Sequence, residues 1–94
     1  DTYWVQHGGG DVCKWIEKLA GRIDILHLKD MAVKGNDPYI TECGNGNIDF
    51  GDVLEVAEKT GVKYIVVEQD INWIDNDPFK AIEISRNNLK KYLG

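Results

Sequence analysis

Three side chains that commonly bind metal ions, Asp1, His27 and Glu68, each lie in a short apolar run that is typical of a β-strand. The runs cover residues 1–4, 23–30 and 64–70. A pattern of helical period follows each run, and this alternation predicts parallel strands joined by right-handed crossovers. The carboxyl ends of such strands share one edge, which is where α/β proteins bind their ligands. The sequence therefore predicts one site built by several strands.

The helix boundaries are marked by capping residues. Asp11, Asp49 and Asp77 each stand just before a segment with apolar residues at helical spacing, which is the position of an N-cap. These caps predict helices that begin at residue 12, at residue 50 and, after Pro78, at residue 79. The predicted strands cover residues 23–28 and 64–69. The segment 29–47, rich in glycine, is predicted to be a long loop, and such loops in compact domains are usually functional.

The chain length limits how many strand–helix units can form. A barrel of eight units needs about 250 residues, so the 94 residues correspond to about a third of one. Asp1 stands at the end of a shortened first strand with no methionine before it. The expected fold class is therefore α/β. Residues 1–94 are expected to be a single partial domain, the C-terminal part of a TIM barrel comprising about its last three βα units.

Composition narrows the classes of partner. The chain has 11 basic and 16 acidic residues, and its formal charge of -5 argues against sequence-independent binding of nucleic acid. The apolar runs are far shorter than the roughly 20 residues that a membrane span needs. We therefore expect a cytoplasmic protein with no nucleic-acid or membrane partner. Cys13 and Cys43 lack the spacing of a zinc site and are expected to be free thiols.

The strand pattern brings the candidate metal ligands together. Because side chains alternate along a strand, His27 shares a face with Lys29, and Glu68 shares a face with Asp70. Alone, His27 would be read as a hydrogen-bonded core histidine and Glu68 as a carboxylate that reaches solvent. Together with Asp1 they favour a divalent metal, because a polar group directed toward a protein interior must be paired or coordinated. Such ligands suit Mn, Mg or Co, with Zn as a further option.

Four segments of the chain resemble the sugar phosphate isomerase/epimerase superfamily, whose members have a xylose isomerase-like TIM barrel. The segments are residues 1–4, residues 21–30, the Gly44–Asn45–Gly46–Asn47–Ile48–Asp49 run, and residues 67–70. The resemblance covers essentially the whole chain. It extends to ketose 3-epimerases and inosose dehydratases, so it does not select one reaction.

The resemblance implies a single divalent metal held by Glu, Asp, His and a second Glu, one from each of four strands. Asp1, His27 and Glu68 match the last three, and the first Glu would lie upstream. In the family the two glutamates also move a proton next to a carbonyl through an enediolate, so Glu68 would be a ligand and a general base. The expected function is a metal-dependent isomerase or epimerase acting on a sugar or sugar phosphate. The fragment alone is expected to be inactive.

Some positions depart from the family pattern or admit a second role. Trp4 stands where ketose epimerases place a histidine, so it would form an apolar wall for the sugar or pack in the core. Lys29 and Asp70 would bind substrate or pair with each other. Asp30 is expected to cap the loop that follows it. Glu42 is expected to be an exposed loop carboxylate.

The residues of the chain bear on three alternative functions. An inosose dehydratase-like lyase and a non-catalytic sugar-binding relative would both retain the predicted ligands. Apurinic-site endonucleases share the barrel but need many histidines, and this chain has only His7 and His27. Apolar helix residues such as Val53, Leu54 and Phe79 would lack packing partners in a partial barrel, so self-association of the chain is expected.

Overall fold

Four α-helices and four β-strands make up the described part of the chain, residues 1–93 of a computed structural model. The helices are α1 (Thr2–His7), α2 (Val12–Lys18), α3 (Phe50–Lys59) and α4 (Pro78–Leu89). The strands are β1 (Ile25–Leu28), β2 (Asp30–Lys34), β3 (Asp37–Thr41) and β4 (Tyr64–Val67). Short 3-10 helices cover Ile74–Asn76 and Lys90–Tyr92.

The strands form two separate pairs. β1 lies parallel to β4, with Ile25 opposite Tyr64 and Leu28 opposite Val67. β2 and β3 form an antiparallel hairpin whose register runs from Asp30 opposite Thr41 to the turn at Gly35. β2 follows the carboxyl end of β1, and the segment after β4 begins at the carboxyl end of β4. The hairpin therefore stands at the edge of the parallel pair where the sequence predicted a site.

The prediction that the chain forms the C-terminal part of a TIM barrel is wrong. The chain folds as a small α/β structure with a parallel pair of strands and an antiparallel pair. Residues 2–4 belong to α1 because the Asp1 carboxylate caps that helix, accepting a hydrogen bond from the Trp4 N–H at 3.2 Å. The first predicted strand therefore does not exist. The radius of gyration, 12.9 Å, is that of a compact chain of this length.

The prediction of a long loop at residues 29–47 is also wrong for the first two thirds of that segment. β2 and β3 occupy most of it, and apart from Lys29 and the turn at residues 35–36 only the residues from Glu42 onward remain irregular. The hairpin was not predicted from the sequence because Pro38 interrupts the second strand and because Asp30, a buried charged residue, begins the first. Both features contradict the alternation of apolar and polar residues by which strands are usually identified.

The core lies between the parallel strands and the helices. Leu26 and Leu28 point from β1 toward the apolar face of α3, where Val53, Leu54 and Ala57 are buried. The α3 boundaries agree with the sequence prediction, and Asp49 caps the helix through the Asp52 N–H at 3.1 Å. Of the three helix residues expected to lack partners, Val53 and Leu54 are buried, whereas Phe79 is 83% exposed.

The helices are short. The longest, α4, has 12 residues. Across residues 1–93, no helix combines the length and the apolar composition that crossing a bilayer requires.

Candidate metal centre

The three predicted metal ligands lie together at the carboxyl ends of the parallel strands. One ligand atom from each of Asp1, His27 and Glu68 can be chosen so that all three lie within 4.8 Å of one another. His27 Nδ1 contacts Oε2 of Glu68 and lies 4.0 Å from Oδ2 of Asp1. The structure thus brings an imidazole and two carboxylates to one point.

Lys29 places a buried ammonium group inside this cluster. Its side chain is 2% exposed, and Nζ lies 2.8 Å from Oε1 of Glu68 and 3.4 Å from Oδ2 of Asp1. Nζ also lies 3.4 Å from Oδ1 of Asp70. The two oxygens of Glu68 therefore face different partners, Oε1 toward Lys29 and Oε2 toward His27.

The carboxylates keep Lys29 charged. Burial lowers the pKa of its ammonium group, but the hydrogen bond and charge of Glu68, with a smaller contribution from Asp70, outweigh burial and raise that pKa overall. Lys29 therefore acts as a permanent positive charge beside the predicted ligands.

The backbone positions these groups before any ligand is present. Residues 27 and 66 are opposite each other in the parallel pair, and the Glu68 N–H donates to the Leu28 carbonyl at 3.0 Å, so β4 continues alongside β1. The buried Thr2 hydroxyl donates to the Lys29 carbonyl at 2.8 Å and accepts from the Lys29 N–H at 3.0 Å. Thr2 thereby joins the start of α1 to the end of β1.

Asp1 reaches the cluster from a helix rather than from a strand. Its Oδ1 caps α1, while its Oδ2 faces Lys29 and His27. Trp4, one turn later, is 53% exposed, and its ring lies 5.9 Å from Lys29 Nζ, within cation–π distance. Asp70 is 63% exposed at the rim. Trp4 is therefore an open aromatic surface next to the cluster and is not part of the core.

Asp30 organises the loop behind the cluster. Its buried carboxylate accepts hydrogen bonds from the N–H groups of Met31, Gly44, Gly46 and Ile48, at 2.8–3.1 Å. Burial raises the pKa of Asp30, and these four donors act in the opposite direction. A Cβ at Gly46 would lie 2.2 Å from the Met31 carbonyl oxygen, so only glycine fits there. The expected loop-capping role of Asp30 is confirmed.

The glycine loop has little capacity to bind an anion. The N–H groups of Gly44, Gly46 and Ile48 point inward to Asp30, and those of Asn45 and Asn47 donate to backbone carbonyls. All five amides from Gly44 to Ile48 are therefore engaged. This agrees with the absence of the lysine and serine that accompany a phosphate-binding loop.

Glu42 is buried, contrary to the sequence prediction. It is 5% exposed, and its Oε2 accepts from Gln69 Nε2 at 2.6 Å and from the Ile74 N–H at 3.3 Å. Gln69 directly follows Glu68, so its hydrogen bond to Glu42 ties the segment after β4, which carries Glu68, to the end of the hairpin. Sequence reasoning missed Gln69, and the only signal for it was a polar residue between Glu68 and Asp70.

The donor set fits a divalent cation. Bonds of about 2.1 Å to one ion space its ligand atoms about 3 to 4 Å apart, and the ligand atoms here lie within 4.8 Å of one another. Three carboxylates face one ammonium in the cluster, so the side chains of Asp1, Glu68, Asp70 and Lys29 carry an excess of two negative charges. A cation bound here would reduce this excess.

Comparisons of the chain with protein-family models, with curated proteins and with solved structures find no match.

Proposed function

We propose that this protein binds one divalent cation through Asp1, His27 and Glu68 and moves a proton next to the carbonyl of a sugar. The observation that supports the proposal is the convergence of these three side chains on one point beside the buried Lys29. Ionisable groups that converge in this way are candidates for a functional site. Mn, Mg and Co suit the oxygen-rich set, and Zn is a further option.

Each residue has a distinct role in the proposed reaction. A bound metal would polarise the substrate carbonyl and so acidify the neighbouring C–H. Glu68 would accept the proton from that carbon, and Lys29, hydrogen bonded to its Oε1, holds the carboxylate in place. Asp70 would contact the substrate hydroxyls from the rim, and Lys29 from inside the cluster. Trp4 offers its exposed ring to the apolar face of the sugar.

The first test is a calorimetric titration of the chain with Mn²⁺. We expect one site in the unaltered protein and a loss of affinity of at least about tenfold in Glu68→Gln and in His27→Gln. Glu58→Gln is the matched control, because Glu58 is an exposed glutamate on α3. Failure of the unaltered protein to bind Mn²⁺, or equal affinity in all four proteins, would contradict the metal site.

The second test measures exchange of the substrate proton next to the carbonyl. With Mn²⁺ present, the protein is incubated with a panel of ketoses in D₂O, and deuterium at the carbon next to the carbonyl is measured by NMR. Exchange that is lost in Glu68→Gln supports the proposed chemistry. Loss of water from the substrate instead would indicate a dehydratase-like lyase. Metal binding without any exchange would indicate a non-catalytic sugar-binding protein. The cytoplasmic location stays a prediction.

A further inference from the structure

A groove separate from the metal-ligand cluster opens between the β2–β3 hairpin and the segment that follows β4. It has a volume of about 950 Å³, within the range of small-molecule sites. Its lining side chains include two aromatic rings, two amides and two opposite charges: Tyr39, Trp73, Asn72, Asn76, Lys34 and Asp37. None of these residues belongs to the Asp1, His27 and Glu68 cluster.

Buried polar groups fix one wall of this groove. Trp73 Nε1 donates to the Gln69 carbonyl at 2.7 Å, which holds the indole in one orientation. Gln69 Nε2 donates to the Asn72 carbonyl at 3.1 Å and to the buried Glu42 carboxylate, and Glu42 also accepts from the Ile74 N–H. Burial of the Glu42 carboxylate is unfavourable unless it is paired, and these two donors pair it. Gln69 Oε1 is buried without a hydrogen-bond partner within residues 1–93, so the wall is anchored through Glu42 and Gln69 Nε2.

The same wall has an unusual backbone. Asn72, Asp75 and Asn76 have φ angles of 59°, 53° and 55°, so three of five consecutive residues adopt the left-handed conformation without a glycine. Glycine would adopt it with less strain. The asparagines instead keep their amide side chains in the groove lining. Strained backbone of this kind concentrates at functional sites.

The charges in the groove balance. Lys34 and Asp37 are opposite each other in the hairpin register and contribute one charge of each sign. The remaining polar groups, the amides of Asn72 and Asn76, both donate and accept hydrogen bonds. A ligand recognised by this set is neutral and carries groups that both donate and accept, together with an apolar face for the aromatic rings.

We propose that this groove binds a neutral carbohydrate, with one or two pyranose rings against Tyr39 and Trp73 and hydroxyls bonded to Asn72 and Asn76. Pyranose rings combine apolar C–H faces with hydroxyls that donate and accept hydrogen bonds, which is the combination that the lining matches. The groove contains none of the predicted metal ligands. Binding here therefore does not require a metal or the proposed reaction.

The test is an NMR titration of the ¹⁵N-labelled chain with maltose in EDTA, followed through the backbone amides. We expect saturable shifts confined to residues 34–39 and 72–76. Tyr39→Ala should weaken binding about tenfold. Tyr64→Ala is the matched control, because Tyr64 is an exposed tyrosine on β4, outside the groove.

A second variant distinguishes a lost contact with the saccharide from misfolding of the chain. Asn76→Gly removes the amide side chain but suits the left-handed backbone, so it should weaken maltose binding while leaving the remaining amide shifts unchanged. Cellobiose and methyl glucoside are titrated in the same way. Absence of saturable shifts with all three saccharides, or equal weakening by Tyr64→Ala, would overturn the proposal. Because EDTA is present throughout, this result is separate from that of the Mn²⁺ titration.

Discussion

The ammonium of Lys29 lies 2.8 Å from Oε1 of Glu68, and its side chain is almost fully buried although three carboxylates surround it. Lys29→Met should therefore lower the free energy of unfolding by about 2 kcal/mol, because it leaves the carboxylates without their counter-charge. The same change should strengthen Mn²⁺ binding by about tenfold, since a competing positive charge is removed. Urea unfolding and calorimetry measure the two effects.

Lys63→Met provides the comparison for Lys29→Met. Lys63 pairs with Asp24 at 3.4 Å, but both side chains are more than half exposed, so its removal should change stability by less than about 0.5 kcal/mol. Equal effects of the two variants would mean that the buried ammonium has no special importance.

The Asp30 carboxylate should be the most sensitive polar position in the chain. Asp30→Asn replaces one acceptor oxygen by an N–H₂ group that would face backbone N–H donors, and we expect a loss of about 3 kcal/mol or more. Asp24→Asn, at an exposed aspartate one residue before β1, should be nearly neutral. Thermal unfolding of both variants measures this, and a stable Asp30→Asn protein would refute the role assigned to the four amide donors.

The buried Cys43 thiol should make stability fall at high pH. Burial raises the pKa of Cys43 to about 12, whereas an unfolded thiol ionises near pH 9. The folded state then retains a proton that the unfolded state loses, so this contribution is complete below pH 9 and is lost as the pH rises toward 12.

Comparison with Cys43→Ala isolates this effect. The stability difference between the unaltered protein and the variant should shrink by about 1.4 kcal/mol from pH 8 to pH 10. Urea unfolding at the two pH values measures it. A constant difference would show that the thiol ionises equally in both states.

The outer face of the parallel strands favours self-association. Ile25, Tyr64 and Val66 are 57%, 65% and 44% exposed on a sheet of only two strands. We expect sedimentation equilibrium to show dimers or larger species, and Ile25→Lys with Tyr64→Lys to shift the population to monomer. Val33→Lys, at an exposed apolar residue of the β2–β3 hairpin, is the control. A monomer at every concentration would contradict the expectation.

Local signals in the sequence predicted individual elements well. Asp11, Asp49 and Asp77 are the N-caps of α2, α3 and α4, as predicted, because a cap depends only on the next few residues. Asp1 was the exception, since the same capping chemistry began a helix where a strand was expected. How many strands pair, and in which order, depends on distant residues, and here local patterns were insufficient.

The candidate site was easier to anticipate than the fold that carries it. The alternation predicted for the two strands extends past their last residues, Leu28 and Val67, and the groups it brought to one face do meet. Glu68 contacts His27, and Lys29 contacts both Glu68 and Asp70. The burial of Glu42 was missed, since it depends on Gln69 and on the Ile74 N–H, which lie far along the chain. The roles of these residues in catalysis stay predictions.

The pairing of β1 with β4 also has a consequence for how the molecule folds. Lys29 and Glu68 are 39 positions apart, whereas the hairpin and α3, which lie between them, depend on neighbouring residues. Before residues so far apart in sequence can make contact, the chain between them must be closed into a loop, which costs conformational entropy. We therefore expect the charged cluster to assemble late, so that a chain that has formed only its local structure has helices and a hairpin but lacks the cluster.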